Sequence, residues 1–423
     1  MKYIVVLGDG MADEPLKELE GKTPLAYGAT PVMDSLAQLG EMGMVKNVPK
    51  GMAPGSDTAN LSVLGYDPEL YYSGRSPLEA LNIGVDMKEG DVAIRANLVT
   101  LSQEEENYEE KRILDHSADE ITTEEAEILL EAVKKELENE IFQFYPGTSY
   151  RHCLIWKQGM TVPLTPPHDI RGKKIQEYLP EEPLLLKMQK KSYEILKDHP
   201  VNLARMEKGL NPGNSLWFWG AGTKPSLDSF EEKFHKKGAM ISAVDLLKGI
   251  AVGTRMKNIS VEGANGGLDT NYEGKADAAL KALLEDDCDF VYVHVEAPDE
   301  MGHQGSIEKK IKAIEYLDGR VVGRIKEGMD ASGEDYRMLV LPDHPTPISV
   351  KTHTANPVPY VLYDSRNQEK KEGLSYSEAE AQKTGKMVEK FILYNLYCWK
   401  GGKYQIYVQV VDFPADGCYH GAE

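Results

Sequence analysis

The sequence predicts an α/β protein of two lobes, and three observations predict it. Short apolar runs rich in β-branched residues recur and end at glycines or acids, as buried parallel strands do. Amphipathic helices alternate with those runs, the order expected of a sheet covered by helices. The third observation is length, because 423 residues exceed what one hydrophobic core usually supports.

Lys2-Tyr-Ile-Val-Val-Leu7 reads as the first buried strand and stops at Gly8-Asp9-Gly10. The two glycines let the backbone turn and approach an ion, so Asp9 is a candidate ligand; the plain alternative is a turn aspartate. Thr30 and Pro31 then open a helix whose stripe is Val32, Met33, Leu36 and Leu39, closed by Gly40. Ser56 follows Pro54-Gly55 and precedes an apolar run, so its hydroxyl is expected at a helix N-terminus. Unpaired amides and the helix dipole favour a phosphoryl group there, although an N-cap serine is the commoner use of the pattern. Gly74-Arg75-Ser76-Pro77 starts another helix, with Arg75 reaching a cleft or merely solvated.

Texture changes near Asp91. Asp91 to Thr100 reads as a strand, the acidic run Glu104 to Glu110 as a solvated loop, and Thr122-Thr-Glu-Glu125 as a capping box opening a helix through Leu137. Two turn-rich segments follow, Phe142 to His152 and Thr165 to Gly172, carrying Arg151, His152, His168, Asp169 and Arg171. Guanidinium forks suit phosphate and carboxylate, and a neighbouring Asp or His suits proton transfer; a surface loop with incidental charges is the alternative. A long polar helix from about Glu182 to Lys208 leads to a seam at Asn211-Pro-Gly-Asn214. Strand texture resumes at Ser215 to Trp219, and Lys224 follows glycines as a candidate phosphate contact or a free surface lysine.

Two later strands carry the chemistry. Asp289 to His303 is read as a strand running out at Asp299 with His303 four residues on, and Tyr336 to Leu341 leads into Asp343-His344. His353 follows within Lys351 to Pro359. If the three strands are parallel neighbours, Asp9, Asp299, His303, Asp343, His344 and His353 converge at one sheet edge. Mixed carboxylate and imidazole donors suit Mn²⁺ or Zn²⁺, and six are more than one ion takes, so two divalent ions are expected, with Mg²⁺ or Co²⁺ as further options. His294 lies inside its strand and reads as a packed core histidine.

The formal charge of −20 argues against nucleic acid and against an anionic membrane as partners. Cys153, Cys288, Cys398 and Cys418 show neither metal spacing nor a disulfide framework, and no apolar run approaches membrane-spanning length. With no leader-like start, the expectation is an unexported cytoplasmic protein. The pattern leaves oligomeric state open.

Taken together, Gly8-Asp9-Gly10, Pro54 to Ala59, Pro298-Asp-x-x-Gly-His303, Pro342-Asp-His344 and His353 to Pro359 resemble the alkaline phosphatase superfamily. Within it they are similar to the cofactor-independent phosphoglycerate mutases of the archaeal type, over the chain up to about residue 393. The resemblance implies an alkaline-phosphatase-like core, a central mostly parallel sheet flanked by helices, over 1–90 and 212–400. A smaller α/β substrate lobe at 91–211 interrupts it, and 401–423 is a tail without an assigned role. It further implies that Ser56 is the phosphorylated nucleophile, that Asp299, His303 and His353 share one metal, and that Asp9, Ser56, Asp343 and His344 share the other.

The activity implied is interconversion of 2- and 3-phosphoglycerate through phosphoserine, with a small phosphorylated metabolite as partner and no organic cofactor. Arg151 and Arg171 are expected to grip the substrate with His168, Lys224, Arg75 and Asn60, while His152 or Asp169 moves a proton and the lobe closes against water. Asn60 stands where the mutase pattern has His, which brings in a bacterial branch proposed as homoserine kinase as the alternative. A phosphomonoesterase or a non-enzymatic metal-binding protein ranks below both.

Overall fold

The computed structural model describes residues 1–367, 369–389, 393, 396 and 397. The tail 401–423 therefore lies outside the described residues. Two compact units divide the chain, Met1–Tyr72 with Leu227–Glu423, and Ser73–Ser226. Both seams fall outside the expected 91–211. The helix Arg75–Asn82 belongs to the second unit because its Ala80 packs with Ala93, Cys153 and Ile155 of that unit's strands.

Among the described residues the strands in chain order are β1 (Lys2–Gly8) and β2 (Glu41–Val45) in the first unit. The second unit holds β3 (Val92–Leu101), β4 (Ile113–Asp115), β5 (Phe142–Tyr145), β6 (Arg151–Trp156) and β7 (Ser215–Thr223). The first unit resumes with β8 (Gly238–Ile241), β9 (Lys257–Ile259), β10 (Phe290–Val295), β11 (Tyr336–Leu341), β12 (Val358–Asp364) and β13 (Met387–Val388).

The first unit's sheet has the order β13-β2-β12-β11-β1-β10-β8-β9. β1 runs parallel to β10 on one side and to β11 on the other, and β8 and β9 extend the parallel part. Only β12 runs against its neighbours. Ile4–Leu7 are wholly buried, which is why β1 reads as a continuous apolar run rather than an alternating one. Met33 and Leu36 of the helix Pro31–Leu39, and Ala276, Ala279 and Leu283 of the helix Tyr272–Leu284, fill the core with Ile4, Val6, Val291 and Val293. Burying each large aliphatic side chain is worth roughly 1.5–3 kcal/mol, and that term drives the layering.

Adjacency of three parallel strands has a direct consequence for chemistry: the segments after β10, β1 and β11 emerge at one edge. One detail differs from the sequence reading. β10 stops at Val295, and Asp299 and His303 stand one helical turn apart on the helix Ala297–His303. Pro298 in the first turn of that helix starts it at no hydrogen-bond cost, and the four-residue spacing puts both ligand candidates on one face.

The second unit is built on an antiparallel sheet, β4-β3-β6-β5, with β7 also paired to β3. The helices Thr123–Leu137 and Pro183–Leu196 pack Leu129, Val133, Leu185 and Leu196 against it. Thr122 Oγ1 accepts the amide of Glu125 at 3.3 Å, capping the first of these helices. The segment 142–152, read as turns, is the β5–β6 hairpin. The long helix expected from Glu182 to Lys208 is broken into Pro183–Leu196 and Pro200–Glu207, since Pro200 has no amide to give and holds His199 extended.

Candidate active site

Ser56 is the first residue of the helix Ser56–Val63, so its hydroxyl stands at a helix N-terminus. Its Oγ is 3.2 Å from His344 Nε2. That nitrogen is also 3.5 Å from Asp9 Oδ1 and 3.4 Å from Asp343 Oδ2. On the other side of His344, its ring centroid lies 4.0 Å from that of His353. His353 Nε2 is 3.0 Å from His303 Nε2 and 3.5 Å from Asp299 Oδ1, and His303 Nε2 is 3.2 Å from Asp299 Oδ2. All six expected ligand candidates and Ser56 thus converge within the first unit.

The local backbone explains the convergence. Gly10 has φ +56°, and its amide donates to Asp343 Oδ1 at 3.1 Å. A Cβ at this position would overlap the Asp299 carboxylate and the Thr346 hydroxyl, so glycine is required for both conformation and approach. Asp343 Oδ1 also accepts the amide of His344 at 2.9 Å. Thr346 Oγ1 donates to Asp299.

Do these groups suit divalent cations? Donor atoms on one tetrahedral ion with bonds of about 2.0–2.1 Å sit about 3.3 Å apart. Asp299, His303 and His353 meet that spacing among themselves, and Ser56, Asp9 and Asp343 meet it around His344. Asp9 Oδ1 is buried and has no hydrogen-bond partner. Burial, then the charges of Asp343 and Asp299, hold the Asp9 carboxyl well above its ordinary range. A cation would relieve both effects. The donor set therefore fits divalent metal ions. A different grouping, Asp299 with His344 and His353, and Asp9 with His294 and Asp343, also lies within 4.8 Å.

His294 was read as a core histidine, and it is wholly buried. Yet its Nε2 is 3.0 Å from Asp9 Oδ2 and its Nδ1 3.1 Å from Glu296 Oε1. Burial opposes charge on this ring, but Glu296 and Asp9 outweigh it and raise its pKa to about 10. The apolar run around His294 carried no sign of this bond. Asn60, expected at substrate, is also wholly buried. Its Nδ2 donates to Ser56 O at 2.8 Å and to Asp343 Oδ2 at 2.9 Å, which leaves it no surface for a ligand.

The second unit gathers most of the anion-gripping candidates. Arg75 Nε donates to Glu79 Oε1 at 2.9 Å, and Arg95, which the sequence reading passed over, pairs with the same carboxylate. Arg95 Nε and Trp219 Nε1 both donate to Asn97 Oδ1 at 3.1 Å. The Arg151 guanidinium lies 4.6 Å from the Tyr150 ring centroid. Arg151 and Arg171 are both close enough to disfavour charge on His116, whose pKa is lowered by burial first. His168 lies 3.7 Å from Asp169 and 5.4 Å, ring to ring, from Trp219. These four guanidinium groups share their surroundings with Glu79, Asp115, Glu120 and Asp169.

One assignment changes. Burial and then Arg95 push the His152 imidazole down to about 3. Its Nδ1 accepts the Gly147 amide at 3.3 Å, so the proton sits on the buried, unpartnered Nε2. At neutral pH such a ring donates a hydrogen bond and is a poor proton carrier. Lys224 follows Thr223 of β7, which pairs with Val92 of β3, and acts on the exposed Asp86, while Arg151 lies opposite Asn97 in the middle of β3.

A mostly parallel α/β sheet thus carries a serine and a carboxylate–imidazole cluster at its carboxyl edge, the layout of an α/β enzyme whose ligands sit beyond the strand ends. A family model described as 2,3-bisphosphoglycerate-independent phosphoglycerate mutase matches residues 37–202. A Methanosarcina barkeri protein of that name is 52% identical over 388 residues, covering 90% of this chain and 95% of its own. One from Methanosarcina acetivorans is 49% identical over 392 residues, covering 92% and 96%. Among solved structures, a Pyrococcus horikoshii protein matches with TM-score 0.73 and 32% identity, covering 90% of this chain and 92% of its own. A cofactor-independent phosphoglycerate mutase from Thermoplasma acidophilum matches with TM-score 0.57 and 28% identity over 92% and 96%. The chain belongs to the 2,3-bisphosphoglycerate-independent phosphoglycerate mutase family.

Proposed function

We propose that this chain interconverts 2- and 3-phosphoglycerate through a phosphoserine on Ser56. The observation that carries the reading is the placement of Ser56 Oγ at a helix N-terminus, 3.2 Å from His344 Nε2 and beside the carboxylates of Asp9 and Asp343. Asp299, His303 and His353 would hold one divalent ion, and Asp9, Ser56, Asp343 and His344 the other. Bound there, such ions lower the pKa of the serine hydroxyl and neutralise phosphoryl charge.

Ser56 Oγ attacks the phosphorus of phosphoglycerate, forming a P–O bond as the bond to the glycerate oxygen breaks. The glycerate alkoxide takes up a proton. The retained glycerate then presents its other hydroxyl, which loses a proton as it attacks phosphoserine and frees Ser56. First-turn amides of the helix Ser56–Val63 favour the dianionic intermediate. Arg75, Arg151 and Arg171 are the groups suited to the carboxylate and phosphate of the substrate, with His168 as a further donor and Asp169 as the proton carrier. No helix among the described residues is long and apolar enough to cross a membrane. A cytoplasmic metabolite enzyme fits that and the acidic surface.

The names of the relatives favour the mutase over homoserine kinase. Purified protein supplied with Mn²⁺ and 3-phosphoglycerate should give a new 2-phosphoglycerate signal in ³¹P NMR. A parallel sample with homoserine and ATP should give no phosphohomoserine, and the opposite pair of results overturns the reading.

A further inference from the structure

β10 carries two polar side chains, Tyr292 and His294, which the two-residue period of a strand places on the same face. Both are wholly buried next to the parallel strand β1. Polar groups in such a position destabilise a sheet unless they are satisfied, so their partners indicate what they are for.

Tyr292 Oη donates to Asn60 Oδ1 at 2.6 Å. Asn60 Nδ2 faces two acceptors, Ser56 O and Asp343 Oδ2, so the amide nitrogen must lie on that side and the oxygen toward Tyr292. His294 bonds Asp9 Oδ2 directly. Behind it, Glu296 holds His294 Nδ1 through Oε1 and accepts Lys275 Nζ at 2.8 Å through Oε2. Lys275 is itself wholly buried and also donates to His294 O at 2.8 Å. One strand face thus grips one oxygen of each carboxylate that follows β1 and β11. What it leaves open is informative: Asp9 Oδ1 has no hydrogen-bond partner, and Asp343 Oδ2 keeps a lone pair 3.4 Å from His344 Nε2.

We propose that Tyr292 and His294 are positioning residues of the metal centre, Tyr292 acting through Asn60 on Asp343 and His294 acting directly on Asp9. They fix the rotation of the two carboxylates so that the cation-facing oxygens are aimed before an ion arrives. This assigns Asn60 to the same relay and not to substrate. Ligation by His294 itself would require breaking one of its two carboxylate bonds. The assignment rests on the two-ion reading of the site.

Tyr292→Phe removes one hydroxyl and keeps the ring. Tyr336→Phe is the control, since Tyr336 is equally buried and donates to Asp330 at 2.7 Å, outside the relay. Chelator-treated full-length proteins are titrated calorimetrically with Mn²⁺, and their Co²⁺ absorption spectra are compared. The expected result is that Tyr292→Phe weakens one of the two ions about 10- to 100-fold and shifts the cobalt spectrum, the range typical of outer hydrogen bonds to metal ligands. Tyr336→Phe leaves both ions unchanged. If Tyr292→Phe binds both ions as the wild type does, or if the two variants weaken binding equally, the positioning role is overturned. A wild-type chain that binds no divalent ion overturns the two-ion reading as well, which distinguishes the two failures.

Discussion

Ser56 Oγ and His344 Nε2 lie 3.2 Å apart although 288 positions separate them in the chain. The contact joins a helix N-terminus to the residue pair that follows β11. Replacing Ser56 by Ala removes the hydroxyl proposed to carry the phosphoryl group, and turnover should fall by at least about 10³-fold. Intact-mass spectrometry after incubation with 3-phosphoglycerate should find phosphoprotein in the wild type and none in the variant.

Metal removal should be equally decisive. Elemental analysis is expected to find two divalent ions per chain, and His353→Ala to lose one of them. Imidazole must be neutral to bind a metal ion, so a proton competes with the cation and affinity for Mn²⁺ should rise with pH across the histidine range. A single ion that survives His353→Ala would remove that residue from the centre.

The arginine cluster of the second unit has a test that separates a mutase from a phosphatase. Arg171→Ala should weaken phosphoglycerate about 10- to 100-fold, the loss expected for one charge-assisted contact. It should also raise release of free phosphate relative to transfer, because a loosened glycerate escapes and water attacks phosphoserine. Lys190→Ala, whose partner is Glu109, should leave the transfer-to-hydrolysis ratio as it is.

Lys310 is wholly buried and donates to Asp13 Oδ2 and to Thr346 O, both at 2.8 Å. Lys310→Met strands the Asp13 carboxylate, and removing one partner of a buried pair costs about 3–5 kcal/mol. Chemical denaturation should show that loss. An unchanged midpoint would mean that water reaches Asp13.

Asp318 provides a pH signature. It accepts the amides of Met33 at 2.7 Å and Val32 at 3.2 Å, at the start of the helix Pro31–Leu39. Burial nevertheless outweighs these bonds and raises its pKa to about 6. The folded state therefore binds this proton more tightly than the unfolded state, whose Asp titrates near 4. The stabilisation from protonation is fully present below about 4 and is lost as pH rises through about 6. Asp318→Asn should abolish that slope, so the stability difference between variant and wild type should change across this window and be flat above it.

What the sequence determined by itself was the candidate donor set and the sheet that organises it. Buried parallel strands need continuous apolar runs, and a turn that brings a carboxylate to a cation needs glycines; both leave local marks, as in Lys2 to Gly10 and Pro342 to His344. Thus Ser56 and six ligand candidates were legible from residue type and spacing. Tertiary structure alone decided the rest. The bonds of Asn60 to Asp343 and of His294 to Asp9 span 283 and 285 positions, and neither residue type announces a distant partner. Arg95 shares Glu79 with Arg75 only because the helix Arg75–Asn82 packs against β3. The unit seam after Tyr72 follows from where Ala80 packs, not from composition. His152 lost its proton-carrying role to burial beside Arg95, because desolvation is a property of surroundings and not of the residue.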